Sequence, residues 1–488
     1  MPELNRWGAA LLAALGLLLL TPMTAHAKWL RAESPRFVVY SDGTEAKLRD
    51  QVEKLEAFDT ILRKYHGLPA DGGAPRKLDI YLVNGEGGLR QVWPGASGVA
   101  GFYSADEGGI YAVAIRERGD DSTLLHEYTH HFMLQFFPYP YPAWLIEGYA
   151  EYFGATRIGR GKIEIGHFDE GRVSNLVQLG WVPIDDLLSK RPFQLRDGES
   201  AAMFYAQAWL LTHYFMGDAQ RYPRLIQYMK DVGDGEESTD AMAKAAGMPL
   251  PALDRTMRTY LRGGLPYGRY EMTPPPPITV TTLPPSADAI LLLSLRVSET
   301  RKSTPEILAD VRKAAAAWPG DRRAILMLAD AETRLGDPTQ AEAPLRALLA
   351  TDPADVDALI ALGVNRLKVG RESPSRIALF REAGKLFARA YKADPKSYRA
   401  LYGYARSRTV EAGYPSDNDM EALLAANELA PQADDITIAA AYASMTRREF
   451  PRARALLLPL AHSPHGGEAA KEAAELLSKV DRLSPPAP

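Results

Sequence analysis

The sequence predicts an α+β domain followed by an all-α helical solenoid. Strand-like runs of apolar residues stop near residue 119, and helical periodicity takes over from residue 120. A proline-rich stretch at 272–285 then separates this first half from a second half built on a repeating helical unit.

At 488 residues the chain exceeds what one ordinary hydrophobic core supports, so more than one folding unit is expected. Hydrophobic residues make up 46% and charged residues 24%, the balance of a soluble globular protein rather than a disordered or fibrous one. Lys and Arg number 57 against 61 Asp and Glu, a net charge of -4. No overall basic field exists to attract nucleic acid or anionic lipid, and neither is expected as a partner. The sequence has no cysteine, which excludes disulfides, thiolate nucleophiles, iron–sulfur clusters and cysteine-held zinc. Any metal must be held by His, Asp or Glu.

Residues 1–27 read as a signal peptide. Arg6 precedes an apolar run at 9–20, and Ala25-His26-Ala27 supplies the small residues of a cleavage site. The run is shorter than the roughly 20 residues a membrane span needs, no cysteine follows it for lipid attachment, and no other stretch is long and apolar enough to cross a bilayer. A secreted, periplasmic protein with no stable membrane span after cleavage is expected.

In the segment 28–119, residues 37–40 and 78–83 read as strands, and 45–65 as a helix with Leu48, Val52, Leu55, Phe58 and Leu62 on one face. Residues 98–104 and 110–115 read as two further strands joined by a turn-rich connection, so this lobe is mixed α/β with a hairpin. In 120–271 the strand signal disappears, and helices are expected at 124–137, 143–154, 201–216 and 253–262. The segment 272–286 cannot be helical because its prolines lack the donor and force extended neighbours; it is expected as a linker or extended strap.

The second half, 287–482, is expected to be helical repeats, with a disordered tail at 483–488. Pro319, Pro353, Pro395 and Pro431 recur at spacings of 34, 42 and 36 residues. In one unit Ile325, Leu328, Ala329, Gly336, Ala341, Leu345 and Pro353, and in the next Leu359, Leu362, Gly363, Ala383, Phe387, Ala390 and Pro395, occupy hydrophobic, small and terminal-proline positions that resemble the tetratricopeptide repeat. About eight extra residues near 370–377 are expected to lengthen one inter-helix turn. Glu332 and Arg366 depart from the pattern where it carries tyrosine. The units at 287–319 and 434–465 are degenerate, as terminal units with one wetted face are. Such repeats imply a protein partner.

The chemistry concentrates in 121–131, which contains His126-Glu127-Tyr128-Thr129-His130. Residues four apart share a helix face, so His126 and His130 can present two imidazole nitrogens to one ion, with Glu127 beside them as a base. His131 points away from that ion. Asp121, Ser122 or Thr123 can cap the helix. A catalytic zinc site takes three protein ligands and leaves one position for water. Glu147, 17 residues past His130 on the next helix, is placed to be the third ligand once the 138–142 turn brings the helices antiparallel. Glu151, one turn on, would lie nearer His126 and accept its outer N–H.

These two segments, HEYTHHF and WLIEGYAEYF, resemble the paired zinc-binding helices of gluzincin metallopeptidases, the thermolysin and aminopeptidase group, and most closely the peptidase MA-like family. The resemblance spans about 36–262 and is specific only in the two helical segments. It implies an α+β zincin-like catalytic domain ahead of an all-α tetratricopeptide-like helical solenoid. It implies that His126, His130 and Glu147 bind Zn2+, that Glu127 activates water, and that an edge strand at 110–115 pairs with an extended peptide substrate. Tyr205, 58 residues past Glu147, resembles in separation the catalytic tyrosine of zinc aminopeptidases and is a candidate oxyanion donor. His213, His167 and Tyr141 are weaker candidates. The expected function is a zinc metallopeptidase acting on peptide or protein; the alternative is a repeat scaffold carrying an inactive or structural-zinc peptidase-like domain.

Overall fold

The computed structural model describes residues 29–116, 121–300 and 304–484; the expected signal peptide at 1–27 lies outside them, as does the tail beyond Ser484. The first half is built on a six-stranded sheet. Its strands are β1 (Leu30–Glu33), β2 (Phe37–Ser41), β3 (Leu78–Val83), β4 (Gly101–Ala105), β5 (Ile110–Ile115) and β9 (Thr279–Thr282), in the order β4-β5-β3-β2-β1-β9. The β2–β3 and β3–β5 pairs are parallel, and the other pairs are antiparallel.

Side chains alternate across the strands. Ile110, Ala112 and Ala114 join the core with α1 (Glu45–Tyr65), whereas Tyr111 and Val113 join a second core on the opposite face. That opposite face is covered by α2 (Gly85–Val92) and by α11 (Ala287–Glu299), through Leu89 and Val92 and through Leu291, Leu292 and Leu295.

Two helices on the α1 side carry the site. These are α3 (Ser122–Phe136) and α4 (Ala143–Gly154), joined through the 137–142 turn. Asp121 stands at the N-cap of α3 without a side-chain capping bond; its carboxylate lies 3.7 Å from Lys54 instead. The helix is fixed from below by a buried charge cluster. Tyr128 donates to Asp59 at 2.6 Å, and Asp59 also holds Arg63 at 2.6 Å and Arg36 at 2.7 Å.

Every residue of α4 except Ile146 is buried, because α7 (Gly198–Met216) lies along it. That approach requires Gly148, since a Cβ there would sit 2.5 Å from the Ala208 carbonyl oxygen and on top of the Thr212 hydroxyl. The first half is completed by α5 (Glu170–Gln178), α6 (Ile184–Ser189), α8 (Tyr222–Gly233), α9 (Ser238–Ala246) and α10 (Leu250–Arg262).

Three expectations about the sheets are corrected. The strand signal does not end at residue 120: β6 (Arg157–Gly159), β7 (Lys162–Ile165) and β8 (Gly268–Glu271) form a separate three-stranded sheet. These strands are three or four residues long and rich in Arg, Lys, Glu and Gly, so they carry little apolar alternation to read. The edge strand is not 110–115: β5 is paired on both sides, and the edges are β4 and β9. The segment 272–286 is not a free linker, because its Thr279–Thr282 portion is strand β9, paired with β1. Edge position explains how a strand flanked by prolines is tolerated.

The second half is a run of helical hairpins: α11 with α12 (Pro305–Ala317), α13 (Arg322–Leu335) with α14 (Glu342–Thr351), and α15 (Val356–Gly370) with α16 (Arg376–Ala393). There follow α17 (Tyr398–Arg408) with α18 (Asp417–Leu429), α19 (Asp434–Thr446) with α20 (Phe450–Ala461), and a final helix α21 (Gly467–Leu483). Pro319, Pro353, Pro395 and Pro431 fall in the short turns between hairpins. The extra residues near 370–377 do not make a long turn; five residues separate α15 from an 18-residue α16. Leu483, placed in the expected tail, is instead the last residue of α21; residues 485–488 lie outside the described residues.

The solenoid is not a separate body. Tyr398, Leu401, Tyr402, Met420, Leu423 and Ile436 belong to the same core as the first-half helices. The β4–β5 turn inserts against it: Tyr398 donates to the Asp106 carbonyl at 3.1 Å, Arg406 pairs with Glu107, and the Glu107 amide donates to Asp435 at 3.2 Å.

Candidate metal centre

His126 and His130 project from one face of α3 and Glu147 from the facing side of α4. The two imidazole Nε2 atoms lie 3.1 Å apart, and Oε2 of Glu147 is 3.7 Å from His126 Nε2 and 3.6 Å from His130 Nε2. These three form the one cluster of metal-ligating side chains among the described residues whose ligand atoms all fall within 4.8 Å of each other. A tetrahedral zinc ion with bonds of about 2.0–2.1 Å has ligand atoms about 3.3 Å apart. The donor set therefore fits zinc.

Burial supports the fit. Glu147 is 0% exposed, and neither carboxylate oxygen has a hydrogen-bond partner. A buried carboxylate without partners is costly, and a bound cation would relieve it. Burial pushes the Glu147 carboxyl up, but His130, His465 and His126 outweigh it and hold it down at about 2. Burial lowers the His126 imidazole to about 3, keeping it neutral as a metal ligand must be. For His130, burial is outweighed by Glu147 and Glu127, and the net shift is upward.

The groups around these three side chains are also placed. Glu151 Oε1 lies 3.5 Å from Nδ1 of His126, and Arg172 on α5 grips the same carboxylate with hydrogen bonds of 2.7 and 2.5 Å. Gly154 lets the two helices close up, since a Cβ there would meet His126 Cβ at 3.2 Å. Burial raises the Glu127 carboxyl above its ordinary range, as suits a base that must hold a proton.

Two cavities meet at the site. A polar one of about 930 Å3 is lined by His126, Glu127, Glu147, Arg172, Tyr205 and His465. An apolar one of about 300 Å3 is lined by Glu127, His130, Met133, Tyr141, Leu456 and His465, among others.

Tyr205, on α7, shares the polar cavity with His126 and Glu147; its ring lies 5.2 Å from the Arg172 guanidinium, and burial raises its phenol. Tyr141 lines the apolar cavity. His213 and His167 stand elsewhere. His213 is buried between the Tyr260 hydroxyl and the Gly166 carbonyl, both at 2.9 Å, and His167 is stacked on Tyr267 and 2.9 Å from Glu164. His131 faces β4 and the solenoid, 2.9 Å from the Tyr103 hydroxyl, with Gln432 donating to its carbonyl at 3.2 Å.

Sequence reasoning missed Arg172 and His465. His465 comes from the loop between α20 and α21; its Nε2 lies 3.4 Å from Oε1 of Glu147, and its ring stands edge-on to His130 at 5.5 Å. No local pattern marks it, beyond its place in a Pro-His-Gly-Gly loop.

The tetratricopeptide repeat family model matches residues 322–364, the stretch from α13 into α15. The second half carries a tetratricopeptide repeat. Among solved structures, a thermophilic TPR protein of Thermus thermophilus is similar at 16% identity, with 40% of this chain and 99% of that chain covered and a TM-score of 0.35. Yeast Tom70 is similar at 13% identity, with 74% of this chain and 71% of that chain covered and a TM-score of 0.26. No curated protein matches the chain. No helix among the described residues is long and apolar enough to cross a membrane.

Proposed function

We propose that the chain is a secreted, periplasmic zinc metallopeptidase of gluzincin type whose repeat half is a protein-binding scaffold. The observation that carries the reading is the convergence of His126, His130 and Glu147 within 4.8 Å, beside Glu127, which lines one cavity with His126 and Glu147 and the other with His130. Zinc held by His126, His130 and Glu147 would supply a Lewis acid that polarises a carbonyl and activates water. Glu127 takes the proton of the attacking water and returns it to the leaving nitrogen. Tyr205 donates its hydroxyl toward the oxygen that gains charge. Glu151, itself held by Arg172, fixes the ring of His126. Edge strand β4 offers unpaired backbone to an extended peptide, and the apolar cavity accepts a side chain next to the scissile bond.

A second reading is an adaptor whose peptidase-like half is inactive or holds structural zinc. The observation that favours it is that the family match falls on the repeats, and the solenoid lines the apolar cavity with several residues and the polar one with His465. Measuring zinc per chain, then hydrolysis of a mixed peptide library with and without chelator, separates the two. One zinc with chelator-sensitive cleavage supports the peptidase; one zinc with no cleavage of any peptide or unfolded protein supports the adaptor.

A further inference from the structure

The two oxygens of Glu147 face different halves of the molecule. Oε2 faces His126 and His130 of the first half, and Oε1 faces His465 of the solenoid at 3.4 Å. We infer that His465 is a positioning residue, whose Nε2–H holds the free oxygen of Glu147 so that the other oxygen is presented to the metal. Metal binding in the first half then depends on the docking of the last repeat hairpin. This rests on the metal-site reading above.

Four observations carry it. Oε1 is buried and without a hydrogen-bond partner, so it needs a donor, and an imidazole that carries a proton on Nε2 supplies one. Carboxylates that ligate metals are themselves hydrogen-bonded, and loss of such a partner weakens the metal. The loop bearing His465 is anchored on both sides: the Arg191 guanidinium donates to the Ala461 carbonyl, and Gly466 lies flat against the Phe193 ring, where a Cβ would come within 2.8 Å. Gly466 and Gly467 have φ of +66° and +92°, conformations that fit glycine and let the loop turn sharply after His465. His465 itself remains 61% exposed at the junction of the two cavities, so it is held by this loop rather than by a core of its own. A partner that pulled the α20–α21 loop away would loosen the metal without touching its ligands.

The test is zinc affinity of the full chain, measured by competition with a chromophoric chelator, with the apo-protein melting temperature as a check on folding. His465→Ala is expected to weaken zinc by roughly 10 to 100-fold with an unchanged apo melting temperature. His465→Gln, which keeps an N–H donor, is expected to recover most of that loss. Arg191→Ala, which frees the loop and leaves the imidazole intact, is expected to weaken zinc in the same direction. Zinc affinity of His465→Ala within twofold of the parent, or a Gln variant no better than Ala, would overturn the role of His465. Glu147→Ala is run beside them, because unchanged zinc in that variant would instead overturn the metal-site reading itself.

Discussion

Arg172 holds Glu151 through two hydrogen bonds, 2.7 Å from Nε and 2.5 Å from the terminal nitrogen, and the same carboxylate faces Nδ1 of His126 at 3.5 Å. The His126 imidazole is thus braced by an ion pair that spans α4 and α5. Glu151→Ala and Arg172→Ala are each expected to keep zinc but to reduce affinity or activity by roughly 10 to 100-fold. Glu147→Ala is expected to strip the metal. Metal analysis of the three purified variants decides this, and the opposite ranking of Glu147 and Glu151 would move the third ligand one turn along α4.

Gly148 follows Glu147 and sits where α4 and α7 touch. A methyl group there would lie 2.5 Å from backbone at Ala208, which cannot rotate away. Gly148→Ala is expected to destabilise the protein by about 1–3 kcal/mol or more and to weaken zinc together with the fold. Thermal denaturation of the apo and zinc-loaded variant checks it; an unchanged melting temperature would mean that the two helices separate more easily than their packing indicates.

Removal of the second half is expected to fail if the cut precedes β9. A chain ending at residue 271 loses β9 and the cover that Leu283, Leu291, Leu292 and Leu295 place over Tyr111 and Val113. Four buried leucines correspond to stabilisation on the order of 10 kcal/mol, comparable to the whole stability of a domain. That fragment should aggregate, whereas one ending near residue 300 should be more soluble. A monodisperse, zinc-binding 1–271 fragment by size-exclusion chromatography would show that the solenoid is dispensable to the sheet.

The protein is expected to lose stability as pH falls from neutral. His66 packs against the rings of Phe132, Phe137 and Tyr149, and burial lowers its imidazole to about 4. The folded state therefore binds fewer protons than the unfolded state, whose histidine titrates near 6.5. Stability from this group is complete above about 6.5 and is lost as pH drops toward 4. Burial depresses His131 in the same direction, to about 3. His66→Phe should flatten part of the pH dependence of urea unfolding between about pH 7 and 4.5; an identical slope in the variant would assign that dependence to other groups.

The site was legible in sequence where its residues are neighbours along helices. The i, i+4 histidines, the following glutamate and its companion one turn on lie in 26 consecutive positions, 126–151, and helical periodicity alone aligns their faces. Arg172 and His465 were not legible, because their closeness comes from tertiary packing: His465 is hundreds of residues away in sequence yet 3.4 Å from Glu147. The fold followed the same division. Strand β3 and helices α1 and α4 have the bounds their apolar patterns indicate, while β9 hides among prolines because an edge strand need not donate on both sides.

The most direct measurement is turnover by Glu127→Gln against the parent chain, with zinc counted in both. A neutral amide can neither accept the water's proton nor deliver it to the leaving nitrogen, so the variant should hold one zinc per chain and cleave an unfolded protein at least about a hundredfold more slowly. Cleavage within about tenfold of the parent, or no cleavage by a parent that carries its zinc, would contradict the peptidase reading.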